Sequence, residues 1–217
     1  MVKILGIDEA GRGPVIGPMV LAAAMIEDGR HASLKDMGVN DSKKLTPEMR
    51  DRLFGLLKGH LLDYRFKILS VRQIDAAVDS PTTNLNRLEM AYMGALIDEL
   101  RPDVVYIDAP TVSTDKFSAE LMDRLDNKKV RLVCENRADA KYPIVGAASI
   151  IAKVKRDKEI EKLKKRFKVD FGSGYPSDPY TKIFLKENFD KYPFFRRSWA
   201  PWKNLNQKHN QKRLGDY

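Results

Sequence analysis

Two short apolar runs, KILGID and DVVYID, each close on an aspartate, and the chain between and after them alternates between strand-like and helix-like patterning. KILGID and GPMVLAAAMI read as strands joined by the loop EAGRGPVI. TPEMRDRLFGLLKGHLL reads as a helix, with Thr46 as N-cap, Pro47 at the first helical position, and Leu53, Leu56, Leu57 and Leu61 as its apolar stripe. YRFKILSV is a strand, and NLNRLEMAYMGALIDEL is a helix with Leu85, Leu88, Tyr92 and Leu96 at helical spacing. DVVYID and VRLVCE are further strands, and Pro143 opens a long helix that reaches Phe167. Two leading strands followed by strand–helix alternation specify an α/β chain whose mixed sheet starts antiparallel and continues parallel. Composition shifts after residue 170. We therefore expect a main domain over 1–170 and a small helical region over 171–217 packed on it and ending in a flexible tail.

The balance of charge narrows the partners. The 217 residues carry a formal net charge of +9 and a pI near 9.5, which points to a polyanion, with nucleic acid ahead of an acidic membrane surface. Cys134 is the single cysteine, so an intrachain disulfide is excluded and a reducing compartment is favoured. Asp8 and Glu9 interrupt any secretory apolar segment, and VIGPMVLAAAMI is too short to span a bilayer. These features together give the expectation of a cytoplasmic protein that does not associate with membranes.

Acids are unwelcome where a strand enters a core, yet Asp8 and Glu9 stand side by side at the end of the first strand. In α/β sheets ligands gather at the carboxyl ends of parallel strands. If the strands ending at Asp8 and Asp108 are parallel neighbours, both carboxylates project at one edge. Adjacent strand residues face opposite ways, so Glu9 joins Asp8 only if the strand ends at Asp8 and Glu9 belongs to the turn. Asp139 stands just ahead of the long helix, placed to cap it or to face the same edge. Its neighbours Ala138, Ala140, Gly146, Ala147, Ala148 and Ser149 are small, which lets the helix lie close to the sheet. Clustered carboxylates repel unless a cation neutralises them, and oxygen ligands suit Mg²⁺ or Mn²⁺. Two such ions can drive in-line phosphoryl displacement. Taken singly, Asp108 reads first as an ordinary strand-end residue and Asp139 as an ordinary helix cap. The three histidines, His31, His60 and His209, lie away from these motifs, which argues against a histidine acid–base pair; one cysteine and no paired spacing argue against zinc.

The stretch GIDEAGRGPVIGP resembles the signature of ribonuclease HII, in the type 2 ribonuclease H family. DSKKL, NRLEM, YIDAP, ADAKYPIVGAASIIAKVKRD and GSGYPSD follow in the family's order and cover most of the chain. The resemblance implies a ribonuclease-H-like fold with a C-terminal helical extension. It implies an endonuclease that cuts the RNA strand of RNA/DNA hybrids and cuts at single ribonucleotides in duplex DNA, leaving 5′-phosphate and 3′-hydroxyl ends. Carried over by motif, Asp8, Glu9, Asp108 and Asp139 are the catalytic metal ligands for two divalent ions, Mg²⁺ or Mn²⁺. Gly11, Arg12 and Gly13 with Tyr175 are the readers of the 2′-hydroxyl, the group that separates RNA from DNA at one nucleotide. Lys43 is a contact to backbone phosphate.

Basic residues crowd the long helix, from Lys153, Lys155 and Arg156 to Lys168, and seven Lys/Arg stand against one acid over residues 191–217. These are expected to line the duplex, and the interleaved Phe194, Phe195, Trp199 and Trp202 to pack inside. At the C-terminus Gln211, Leu214 and Tyr217 fall at i, i+3, i+6, a spacing that resembles the clamp-binding box of replication and repair proteins, with one aromatic where the box usually has two. The expected partners are therefore RNA/DNA hybrid, ribonucleotide-containing duplex and a sliding clamp, engaged by a monomer. Two rival readings remain at this point: a structure-selective DNA nuclease, which has no use for a ribose reader, and a non-enzymatic hybrid-binding protein, which has no use for four clustered acids.

Overall fold

The structure is a computed structural model describing residues 1–39 and 45–215, with side chains described through residue 211. Lys43, Tyr217 and the side chain of Leu214 lie outside what is described. Five strands, β1 (Lys3–Ala10), β2 (Met19–Glu27), β3 (Asp63–Leu69), β4 (Val104–Asp108) and β5 (Arg131–Glu135), form one sheet in the order β3-β2-β1-β4-β5. β1 runs antiparallel to β2 and parallel to β4, and β4 runs parallel to β5. The helices among the described residues are α1 (Ser33–Asp36), α2 (Pro47–His60), α3 (Val71–Val78), α4 (Leu85–Leu100), α5 (Thr114–Arg124), α6 (Ala138–Lys141), α7 (Pro143–Phe167), α8 (Pro179–Asn188) and α9 (Ala200–Gly215).

The residues gather into two compact units, each assembled from separated stretches. The first comprises Met1–Ala10, Val20–Ile68 and Asn86–Lys155; the second comprises Gly11–Met19, Leu69–Leu85 and Arg156–Tyr217. In the first, one sheet face supplies Ile4, Ala22, Ala24 and Ile26, which pack with Ile144, Ala147, Ala148 and Ile151 of α7 and with Leu53, Phe54 and Leu57 of α2. Small residues let α7 approach closely, as expected. A Cβ built on Gly6 of β1 would stand 2.6 Å from the backbone nitrogen of Val145. In the second unit Val15, Ile16, Ile160, Phe171, Leu185, Phe194 and Phe195 form the core, with Trp199 and Trp202 packed against it. The Tyr192 and Phe194 rings stack at 4.9 Å, and Trp202 Nε1–H donates to Phe189 O at 2.7 Å. The C-terminal aromatics thus pack in and against this core, as expected.

Local chemistry accounts for the helix starts. Thr46 Oγ1 accepts from the Met49 N–H at 3.3 Å with Pro47 in the first turn, and Ser70 with Gln73 forms a reciprocal capping box on α3. Two expected stripes need correction. On α2, Leu56 is 58% exposed and Phe54 fills the buried position instead. On α4 the expected Leu96 is buried, but the rest of the buried face runs through Met90, Met93, Ile97 and Leu100, rotated from the expected Leu85, Leu88 and Tyr92, of which none is fully buried. Both faces satisfy the same 3.6-residue period, so packing partners decide which one turns inward.

Candidate active site

β1 and β4 are parallel neighbours with Gly6 opposite Tyr106 and Ile7 opposite Ile107, so Asp8 and Asp108 follow at the same level of adjacent strands. Asp139 arrives from α6, which starts after Arg137 in the left-handed region at φ 57°. The junction is fixed by Asp108, whose Oδ1 accepts the Ala138 N–H at 3.1 Å, and by Asn136, whose Nδ2 donates to Ala109 O and Thr111 O at 3.0 and 2.8 Å. A carboxylate oxygen from each of Asp8, Asp108 and Asp139 lies within 4.8 Å of the others. Asp8 and Asp139 are buried, Asp108 partly so.

Glu9 departs from expectation. β1 does not end at Asp8: Glu9 pairs with Leu21 and Ala10 with Val20, so the ladder continues through both. Glu9 is therefore a strand residue, its N–H donates to Asp8 Oδ1 at 2.7 Å, and its carboxylate is not among the three that converge.

Three carboxylates this close cost about 3 kcal/mol of repulsion per pair at an effective dielectric near 20. Asp8 is pushed up to about 7, first by burial; Lys153 and a hydrogen bond from Ser149 oppose that rise, Asp108 adds to it, and the Glu9 N–H opposes it again. Lys153 Nζ hydrogen-bonds Ser149 Oγ, one turn earlier on α7. A cluster of hard oxygen donors, with its negative charge held in place by strand ends and a short helix, fits a divalent cation, which relieves the repulsion without protonation.

The second unit holds the glycine loop. Gly11 sits at φ +88°, and a Cβ there would lie 2.8 Å from Arg156 Cδ, so only glycine fits. The loop is bonded to the turn that carries Tyr175: the Val15 and Ile16 N–H groups both donate to Gly174 O, at 2.9 and 3.3 Å. A Cβ on Gly13 would sit 3.8 Å from the Tyr175 ring. The loop and Tyr175 are thus brought together, with Tyr175 38% exposed and its ring 5.0 Å from the Arg156 guanidinium. Asp178 caps α8 and accepts the Ser173 N–H at 2.6 Å, which fixes the turn between them.

Two residues read as surface cations belong inside. Arg156 is 5% exposed and donates to Ser173 O at 3.1 Å. Arg196 is fully buried, donates to Gly11 O, Arg12 O and Gly17 O, and lies 4.9 Å from the Trp199 ring. Neither lines a duplex as expected. The only sequence signal for Arg196 was its place in the aromatic run YPFFRRSW. At the C-terminus Gln211 and Leu214 fall within α9. No helix among the described residues is long and apolar enough to cross a membrane.

A family sequence profile described as Ribonuclease HII matches residues 5–202. Ribonuclease HII of Pyrococcus abyssi is 44% identical over 218 residues, covering 98% of this chain and 95% of its own. Among solved structures, the ribonuclease H2 of Pyrococcus horikoshii superposes with a TM-score of 0.86 at 40% identity, covering 96% of this chain and 99% of that one. Ribonuclease HII of Archaeoglobus fulgidus, solved in a complex with PCNA, gives 0.83 at 38% identity, covering 93% and 96%. The mixed sheet with its flanking helices is therefore the ribonuclease-H-like fold, and the chain belongs to the ribonuclease HII family of metal-dependent endoribonucleases, which act on the RNA strand of RNA/DNA hybrids.

Proposed function

We propose that the chain cuts at single ribonucleotides embedded in duplex DNA as well as within longer hybrids, and leaves 5′-phosphate and 3′-hydroxyl ends. The observation that carries this reading is that the chain holds both three converging carboxylates, in one compact unit, and a glycine loop held against an exposed tyrosine, in the other. Asp8, Asp108 and Asp139 hold the divalent ions, Mg²⁺ or Mn²⁺; the motif carries Glu9 over as a fourth ligand, and its carboxylate stands apart from the other three in this structure. When bound, such ions lower the pKa of an attacking water and stabilise charge on the phosphate. The protein's own residues set the stage for that. Lys153 and Ser149 bias Asp8 toward its ionised, ligating form, and the Glu9 N–H orients one of its oxygens. The Ala138 N–H holds Asp108 in place.

Gly11, Arg12 and Gly13 present backbone N–H groups to the sugar, and the Tyr175 ring packs on the adjoining ribose. Lys43 contacts a backbone phosphate. The excess of nine positive charges draws the duplex in and makes binding salt-dependent. A DNA-only nuclease needs no such reader, and a hybrid-binding protein needs no clustered acids. The deciding assay compares a duplex carrying one ribonucleotide with its all-DNA twin, in Mg²⁺ and in EDTA. Mg²⁺-dependent cutting of the first alone supports the reading; cutting of both, or of neither, defeats it.

The tail supports a second partner. The Archaeoglobus fulgidus relative was solved with PCNA, and Gln211, Leu214 and Tyr217 match the spacing of a clamp-binding box. We infer that this segment tethers the enzyme to DNA-bound sliding clamps in the cytoplasm and concentrates it at sites of replication and repair. Calorimetric titration of a clamp with the full chain and with a chain ending at Asn210 tests it. Binding by the full chain alone is expected; equal binding by both, or none by either, rejects the tether.

A further inference from the structure

We infer that Arg196 is the positioning residue of the ribose-reading loop, an inference that rests on the loop's proposed role. Its side chain is the largest of the fully buried ones, and all three of its guanidinium nitrogens bond to one stretch of backbone: Nη2–H to Gly11 O at 2.6 Å, Nη1–H to Arg12 O at 3.0 Å and Nε–H to Gly17 O at 2.9 Å. Its own backbone closes the same stretch, because the Arg196 N–H donates to Val15 O at 2.8 Å and the Gly17 N–H donates to Phe194 O at 2.9 Å. The turn bearing Arg196 is itself fixed by Asp75, which accepts from the Arg197 and Ser198 N–H groups at 3.0 Å each.

The consequence follows from peptide geometry. A trans peptide is planar, so each carbonyl points opposite to the N–H of the next residue. Drawing the Gly11 and Arg12 carbonyls onto the buried guanidinium therefore turns the Arg12 and Gly13 N–H groups to the other side. Gly13 is exposed, and a Cβ built on it would stand 3.8 Å from the Tyr175 ring. Two consecutive donors facing one way, next to an aromatic face, form a cradle for a hydroxyl or phosphate oxygen of a nucleotide. Arg196 touches no substrate. It sets the direction of the donors that do.

Lysine cannot replace it, because one ammonium cannot span three separated carbonyls in the plane of a guanidinium fork. The test is the kcat/KM ratio between a single-ribonucleotide duplex and a long RNA/DNA hybrid, for wild type, Arg196→Lys and Arg196→Ala. A lone ribose offers one feature to read, so the Arg196→Lys ratio should fall by about tenfold. Millimolar guanidinium should restore part of that ratio in Arg196→Ala, an effect that a general loss of packing would not give. An unaltered ratio in Arg196→Lys, or equal losses on both substrates, overturns the inference. Should Arg196→Ala not fold, Asp75→Asn takes its place, with a smaller fall in the same ratio expected and no fall counting against the inference. If the wild type itself fails to cut the single-ribonucleotide duplex, it is the proposed function that fails, and the ratio is not reached.

Discussion

Gly6→Ala should break the enzyme by one methyl group. Gly6 lies two residues before Asp8 on β1, under the first turn of α7. Its added Cβ would stand 2.6 Å from Val145 N, whereas ordinary contact begins at 3.4 Å. Ile144 O of the helix stands closer still, so the strand and the helix must separate locally by about 1 Å, and because the obstructing atoms are backbone no rotamer change relieves the clash. Overpacking of this kind costs about 3 kcal/mol, which for a chain of this size lowers Tm by about 6–12 °C. The same displacement moves Ser149 and Lys153 of α7 relative to Asp8, and a misplacement near 1 Å lowers turnover by about 10²-fold. Gly55→Ala, in the middle of α2 with nothing within 4 Å of its added Cβ, is the paired control. It should raise Tm by about 2–4 °C, since alanine is better than glycine in a helix by about 1 kcal/mol. The assay is thermal unfolding followed by hybrid cleavage at saturating Mg²⁺. A Gly6→Ala protein that melts within about 2 °C of wild type and turns over normally would refute the reasoning.

Other substitutions probe separate parts of the molecule. Tyr175→Ala should lower cutting at a single ribonucleotide more than cutting within a long hybrid; equal losses would remove Tyr175 from the reader's role. Asp178 is held down to about 2 by hydrogen bonds from the Ser173 N–H and hydroxyl and from the Tyr180 and Thr181 N–H groups. Its folded pKa lies below the ordinary 3.8, so its contribution is complete above that value and is lost as pH falls toward 2. Asp178→Ala should therefore cost about 1 kcal/mol at pH 7, and its deficit against wild type should shrink as pH falls from 4 to 2 in urea unfolding curves. Burial pushes the Cys134 thiol up to about 11, so alkylation by iodoacetamide at pH 8 should be far slower than for free cysteine; rapid labelling of the native protein would contradict it.

What was legible in the sequence was whatever a local pattern encodes. KILGID and DVVYID announced two strands, and their shared ending in aspartate anticipated the register that sets Asp8 beside Asp108. Pro143 marked the start of α7, and the run of small residues after it foretold the close approach over Gly6. What depends on distant partners was not legible. The strand continues through Glu9 because Leu21 of β2 pairs with it, which no local signal declares. The buried side of α4 is chosen by its neighbours among two faces of equal period. Local pattern left Asp139 open between a helix cap and the sheet edge, because nothing nearby reveals that Arg137 turns left-handed and that Asp108 receives the Ala138 N–H from thirty residues earlier. Arg156 and Arg196 read as surface cations because a buried guanidinium is recognised only by the carbonyls that meet it, and those of Arg196 come from 179 to 185 residues away.

We propose that Asp8, Asp108 and Asp139 together hold the divalent ion on which cleavage depends. The most direct test is Mn²⁺ binding followed by electron paramagnetic resonance in wild type and in Asp108→Asn, with hybrid binding measured on the same samples. Asparagine keeps the size of Asp108 and an oxygen that can accept the Ala138 N–H, so the fold survives the change. Asp108→Asn should lose tight Mn²⁺ binding and all cleavage while binding the hybrid at least as well as wild type. Wild-type Mn²⁺ affinity in Asp108→Asn, or near-normal cleavage by it, would remove these three carboxylates from the metal-binding role.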